Sequence, residues 1–232
     1  MDAVAVHIGV ALPVGARYAR WARLPSAGDT VRRLTRLCAA ARIPTQHRLL
    51  DALATVSRVR TVLAACAAAT GPDGLLVLTF SGHGERPVPG EHHGGWFLHD
   101  GVIRHADTVE LLASAHPSAH IVVIADTCHA AAFAEVCAAV PATVVLLAAC
   151  GAEQTTLNHP VSEFVSALVQ HTLPEGGIEP RRRSYADLAR LLRAEAPDVE
   201  RPEVYANRPD ALRQRPFRLG AAPAIPAGPP PA

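Results

Sequence analysis

Two stretches decide the fold: Leu75-Leu76-Val77-Leu78-Thr79-Phe80, running straight into Ser81-Gly82-His83-Gly84, and Ile121-Val122-Val123-Ile124-Ala125, running into Asp126-Thr127-Cys128-His129. Both are short apolar runs of mostly Val, Leu and Ile without polar alternation. A strand buried on both faces reads this way, because helices cover both sides of a parallel sheet. Val4 to Leu12 and Thr143 to Ala149 have the same character, and residues 47–54 read as a weaker, edge-like strand. Helical periods lie between these runs. Val31, Leu34, Cys38 and Ala41 follow a candidate cap at Asp29, and Val59, Val62, Leu63, Cys66 and Ala67 recur at helical spacing. Phe164, Val165, Leu168 and Val169 share a helix face, and Ser184 followed by Asp187 opens another helix carrying Leu188, Leu191 and Leu192. Alternating strands and helices predict an α/β three-layer sandwich, a mostly parallel central sheet with helices on both faces.

Composition agrees with one globular unit. The chain has 232 residues, 49% of them hydrophobic and 19% charged, with mean hydropathy +0.15; a disordered chain is excluded. Twenty Pro and 16 Gly without a repeat exclude collagen. No apolar run reaches the ~18 residues of a membrane span, and no cationic region precedes a hydrophobic one at the N-terminus, so a soluble, unexported, cytoplasmic protein is expected. Residues 1–219 are expected to form the domain and 220–232 a mobile Pro/Ala-rich tail. All 22 basic residues are Arg, and the net charge of +1 points to no nucleic-acid partner. Charge is uneven, however: residues 61–180 hold two Arg against twelve acids. Five cysteines without a Cys-x-x-Cys pair read as thiols rather than disulfides.

Ligands of open α/β sheets bind outside the carboxyl ends of the strands. His83 and Cys128 each stand just past such an end. A thiol is nucleophilic as its thiolate, and an imidazole beside it can move the proton, so the pair suits acyl transfer. Cys128 would attack a scissile carbonyl and His83 would protonate the leaving amine. The amides of Gly84 and Cys128 are the candidate oxyanion hole. Cys38, Cys66, Cys137 and Cys150 read instead as core thiols.

The order of apolar strand, Ser81-Gly82-His83-Gly84, apolar strand and Asp126-Thr127-Cys128-His129 resembles the caspase-like clan of cysteine peptidases, specifically its prokaryotic metacaspase-type members. Gly94-Gly95-Trp96-Phe97-Leu98-His99-Asp100-Gly101 and Ala149-Cys150-Gly151-Ala152-Glu153-Gln154 resemble further segments of that family. The resemblance implies a caspase-like sandwich and a cysteine endopeptidase with a His83–Cys128 dyad. It also implies that Asp126 lines the pocket for the residue before the scissile bond, P1. A carboxylate there favours Arg or Lys, so the implied partner is a protein or peptide substrate with basic P1, alongside a regulatory protein. The sequence departs from the family pattern at Ala130-Ala131, where Ser-Gly is usual, and lacks the Gln-Ala-Cys-Arg-Gly signature of aspartate-specific caspases. No Arg or Lys falls between Cys128 and Ala139, so a single-chain enzyme is expected, with Arg181 to Arg183 the best internal cleavage candidate.

Other chemistries fit less well. Eight of the twelve histidines fall between His83 and His129, but His92 and His93 are adjacent and no His-Glu-x-x-His occurs, so zinc on His83, His92, His93 or Cys128 is not expected. Calcium activates some metacaspase relatives, and Asp100, Asp107 and Glu110 are the oxygen ligands on offer; no cofactor is assigned. Gly82-x-Gly84 fails as a dinucleotide fingerprint because Pro87 replaces the third glycine, and Ser81 lacks a Gly-x-Ser-x-Gly elbow. The rival class is a catalytically silent interaction module of the same fold.

Overall fold

The computed structural model describes residues 3–15, 18, 19, 21–156, 160–173, 183–196 and 200–217. In chain order its elements are β1 (Ala3–Gly9), α1 (Ser26–Ala40), β2 (Thr45–Leu50), α2 (Val56–Ala69), β3 (Leu75–Ser81), β4 (Gly84–Glu85), β5 (Gly95–Phe97) and β6 (Val102–Arg104). They continue with α3 (His105–Leu112), β7 (His120–Asp126), α4 (Ala134–Cys137), β8 (Thr143–Ala148), α5 (Glu163–Thr172), α6 (Tyr185–Glu195) and β9 (Glu203–Ala206).

Six strands form the central sheet in the order β2-β1-β3-β7-β8-β9. The first five are parallel and β9 runs antiparallel to β8. Successive side chains of a strand face opposite ways, and both directions are apolar here. Leu76, Leu78 and Phe80 of β3 join a core with Val59 and Leu63 of α2 and Leu112 of α3. Leu75 and Val77 join the opposite core with Leu34 of α1, Leu168 of α5 and Leu188 of α6. The protein is therefore a three-layer α/β sandwich. Each large aliphatic side chain so enclosed contributes about 1.5–3 kcal/mol relative to exposure, and all seven residues of β3 are buried.

Several local expectations need correction. The apolar run from Val4 to Leu12 leaves the sheet after Gly9. The edge strand spans Thr45–Leu50 and ends in a 3-10 turn, Asp51–Leu53, rather than continuing to residue 54. Asp29 does not cap α1: it sits in the first turn and binds Arg32 and Arg33, so it serves the helix by charge rather than as an end group. The Ser184 and Asp187 capping box is present at the start of α6. The segment from Glu85 to Gly95 begins and ends in the three-stranded antiparallel sheet β4-β5-β6, with a further bridge between Val88 and His92. The tail at 220–232 and the Arg181-Arg182 pair lie outside the described residues. Arg183 is described, and its guanidinium is held by Nδ1 and the carbonyl of His171.

Candidate functional site

Strand register brings the two sequence motifs together. β3 and β7 are neighbours and pair in parallel from Leu75 opposite His120 to Ser81 opposite Asp126, a constant offset that also separates His83 from Cys128. Both residues thus leave the same sheet edge two positions beyond the last pair. The approach is close: a Cβ on Gly84 would lie 2.0 Å from the Cys128 carbonyl oxygen and 2.6 Å from Thr127 Oγ1. Only glycine allows the chain after His83 to rest directly on the backbone of the nucleophile candidate.

Aromatic packing fixes both turns. Trp96 of β5 stacks between Phe80, at the end of β3, and Phe133, in the 3-10 turn after Cys128, with ring centroids 4.9 and 5.4 Å apart. Past Cys128 the chain turns sharply, and His129 takes a left-handed conformation with φ 57°. Such a non-glycine conformation costs on the order of 1–3 kcal/mol and persists only where neighbours hold it. Here the His129 amide donates to the Gln154 carbonyl at 2.8 Å, and its Nδ1 donates to the Ala152 carbonyl at 2.9 Å.

His83 is half-buried. Its Nε2 lies 2.9 Å from the Ala22 carbonyl oxygen, which can only accept, so Nε2 carries a proton and Nδ1 holds the lone pair of the neutral ring. Trp21 meets the ring edge-on at 4.8 Å between centroids. Burial holds the His83 pKa below the usual histidine range, partly offset by the bond to Ala22. Cys128 is partly exposed, whereas Cys38, Cys66, Cys137 and Cys150 are buried. Burial pushes Cys38 and Cys137 up to about 12 and Cys150 up to about 11. The Cys128 sulfur lies 3.7 Å from the Thr156 hydroxyl.

The Gly84 amide is oriented by the β4–β5 ladder. The Phe97 amide donates to the His83 carbonyl at 3.0 Å, which makes Gly84 and Trp96 the non-hydrogen-bonded pair, so the Gly84 N–H points away from β5.

Asp126, the last residue of β7, lies at the base of a narrow polar cleft beside Cys128, with Ser81, Thr156, Ser162, Glu163 and Glu200 in its walls. Its carboxylate accepts hydroxyl hydrogen bonds from Ser81 and Ser162 at 2.8 Å and from Thr30 at 3.1 Å. Burial pushes its carboxyl pKa up, and these three bonds oppose the shift. Three carboxyl groups, those of Asp126, Glu163 and Glu200, therefore line the cleft. Glu200 reaches it because β9 runs antiparallel: a reversed strand starts at the site edge, so the residues just before it stand there too.

The sequence pointed to His83, Gly84, Asp126 and Cys128, and the fold brings all four to one edge. It gave no sign of Thr156, Ser162, Glu163, Glu200 or the Ala22 carbonyl. Glu163 opens α5, and the others come from connecting segments whose position depends on tertiary packing. Among the described residues no group of three His, Cys, Asp or Glu side chains could hold a metal ion. Asp100 instead accepts from the Val56 amide at the start of α2 at 2.8 Å, and Asp107 pairs with Arg60. Among the described residues no helix is long and apolar enough to cross a membrane.

The fold resembles the crystal structure of protein GSU0716 from Geobacter sulfurreducens, a structural-genomics target. The TM-score is 0.77 and the identity 19%, over 94% of this chain and 99% of that one. No family model matches the chain. No curated protein matches it either. At that identity the structural likeness establishes the α/β fold alone.

Proposed function

We propose that the protein is a cysteine endopeptidase of the caspase-like, metacaspase type, with His83 and Cys128 as its dyad and a preference for Arg or Lys at P1. The observation that carries the reading is the shared register of β3 and β7, which delivers an imidazole and a partly exposed thiol to one edge with the Gly84 backbone packed on Cys128. The Cys128 sulfur attacks the scissile carbonyl, forming a C–S bond while the carbonyl π pair moves onto oxygen. The amides of Gly84 and Cys128 receive that oxyanion, each such donor being worth on the order of 3 kcal/mol. His83 takes the thiol proton on Nδ1 and passes it to the leaving amine as the C–N bond breaks. Water then hydrolyses the thioester with the same nitrogen as base. The acidic cleft around Asp126 supports basic P1 recognition. A protein partner that restrains the activity belongs to the same reading.

Profiling a peptide library with the purified protein and its Cys128→Ala variant tests activity and P1 preference together. Cleavage after Arg or Lys by the wild type alone is expected. An Arg-directed, thiol-reactive peptide ketone separates this reading from a silent module of the same fold: labelling at Cys128 is expected, and a protein that ignores the reagent is not the enzyme proposed.

A further inference from the structure

We infer that Thr156 is a thiolate-stabilising residue, its hydroxyl donating a hydrogen bond to the Cys128 sulfur and favouring the ionised form. The inference rests on the reading of Cys128 as nucleophile but concerns a residue that the His–Cys pairing does not supply. The contact is 3.7 Å between Oγ1 and Sγ, within range for sulfur. A hydroxyl has one proton to give, and a thiolate accepts it more strongly than a thiol does, so the bond shifts the equilibrium toward the charged form.

The position of Thr156 is built rather than incidental. Two residues upstream, the Gln154 carbonyl accepts the His129 amide at 2.8 Å, and it shares the Cys150 thiol with the Thr127 carbonyl, each at 3.4 Å. The Gln154 side-chain oxygen accepts the Gly151 and Arg201 amides at 2.9 and 3.3 Å. The segment ending at Thr156 is thus tied to the residue that follows the nucleophile. The charge partner usually invoked for a thiolate is an imidazolium, and the environment of His83 works against it: the ring is half-buried, and burial disfavours its protonated form. A neutral hydroxyl donor at the sulfur supplies stabilisation without that desolvation cost. Thr156 also belongs to the wall of the Asp126 cleft, so an occupant of the cleft sits beside the same hydroxyl.

Titratable groups lie near the sulfur on several elements: Asp126 and His129 on either side in sequence, Cys150 after β8, Glu163 and Glu200 along the cleft that Thr156 borders, and His83 past the neighbouring strand end. Thr156→Val leaves all of them in place and replaces one hydroxyl with a methyl of similar size. Thr156→Ser keeps the hydroxyl and removes the methyl.

The test is the rate of Cys128 alkylation by iodoacetamide as a function of pH, followed by peptide mass in the full chain, for the wild type and both variants. Thr156→Val is expected to move the midpoint of the rate–pH curve up by about one unit and to slow alkylation below that midpoint about tenfold. Thr156→Ser is expected to follow the wild type. A Thr156→Val curve superimposed on the wild type overturns the inference, as does a Thr156→Ser curve that moves with Thr156→Val. Alkylation needs no peptide hydrolysis, so a shifted curve in a protein that cleaves no peptide retains the Thr156 assignment and removes the peptidase reading. An active peptidase with an unshifted curve does the reverse.

Discussion

Replacing Gly84 by alanine probes the meeting of the two strand ends. The new methyl would stand 2.0 Å from the Cys128 carbonyl oxygen, 2.6 Å from Thr127 Oγ1 and 3.0 Å from the Cys128 carbonyl carbon, where ordinary contact begins near 3.4 Å. Two of these three obstacles are backbone, so no side-chain rotation relieves the overlap, and the gap must open by more than 1 Å. A misplacement of about 1 Å in a reacting geometry costs roughly 100-fold in rate. Forced overpacking costs about 1–3 kcal/mol. The strands behind the site keep their seven paired positions, so the fold is expected to survive with that modest loss. Labelling of Cys128 by the Arg-directed ketone should therefore slow by about two orders of magnitude, with thermal unfolding recorded alongside. Gly71→Ala is the control, because a methyl there meets nothing within 4 Å. A Gly84→Ala protein that labels at the wild-type rate would refute the juxtaposition of His83 and Cys128.

Three further outcomes follow from the same geometry. Asp126→Asn keeps one acceptor oxygen, enough for Ser81 and Thr30, which share Oδ2, sets an NH2 donor against the Ser162 hydroxyl, and removes the charge; kcat/KM for Arg substrates should fall by roughly 30-fold or more, equivalent to about 2 kcal/mol at a truncated charge pair, and undiminished turnover would contradict the pocket assignment. Iodoacetamide at pH 7 should modify one cysteine, Cys128, since the other four thiols are buried and carry raised pKa values; two or more adducts on the folded chain, counted by intact mass, would be inconsistent with that core. His7 and His105 are buried, and burial lowers each from 6.5 to about 4. Between those values the unfolded chain binds protons that the native one excludes, so each ring withdraws on the order of 3 kcal/mol of stability as pH falls across the window. Urea unfolding at pH 7.5 and 4.5 should show the loss, and His7→Gln should shrink it; equal stability of the wild type at both values would rule it out.

The parallel sheet was legible because each of its main strands is buried on both faces and so lacks polar interruption over most of its length. The parts that were not legible owe their conformation to distant contacts. β9, with Glu203 and Tyr205, has no apolar run of its own and exists by pairing with β8. The strands β4, β5 and β6 are two or three residues long, and Trp96 acquires its place only between Phe80 and Phe133. α3 is eight residues long, too short for its period to stand out. For the site the division is similar. His83, Gly84, Asp126 and Cys128 follow directly on apolar strands, so fold logic alone locates them. Thr156, Ser162 and Glu200 follow no such marker, and Ala22 contributes through its backbone oxygen, a group every residue possesses.

Because β1, β3, β7 and β8 all run the same way, the sandwich has two unlike ends. Every group assigned a role lies at or past the carboxyl ends of these strands or on the segments that cross there. Among the described residues the opposite end carries connections such as Gly71 to Gly74, a turn closed by its own backbone hydrogen bond. That turn is accordingly the place to attach a dye, a surface tether or a fused carrier when the protein is to be studied at work. Cargo installed there stays a full strand length away from the thiol.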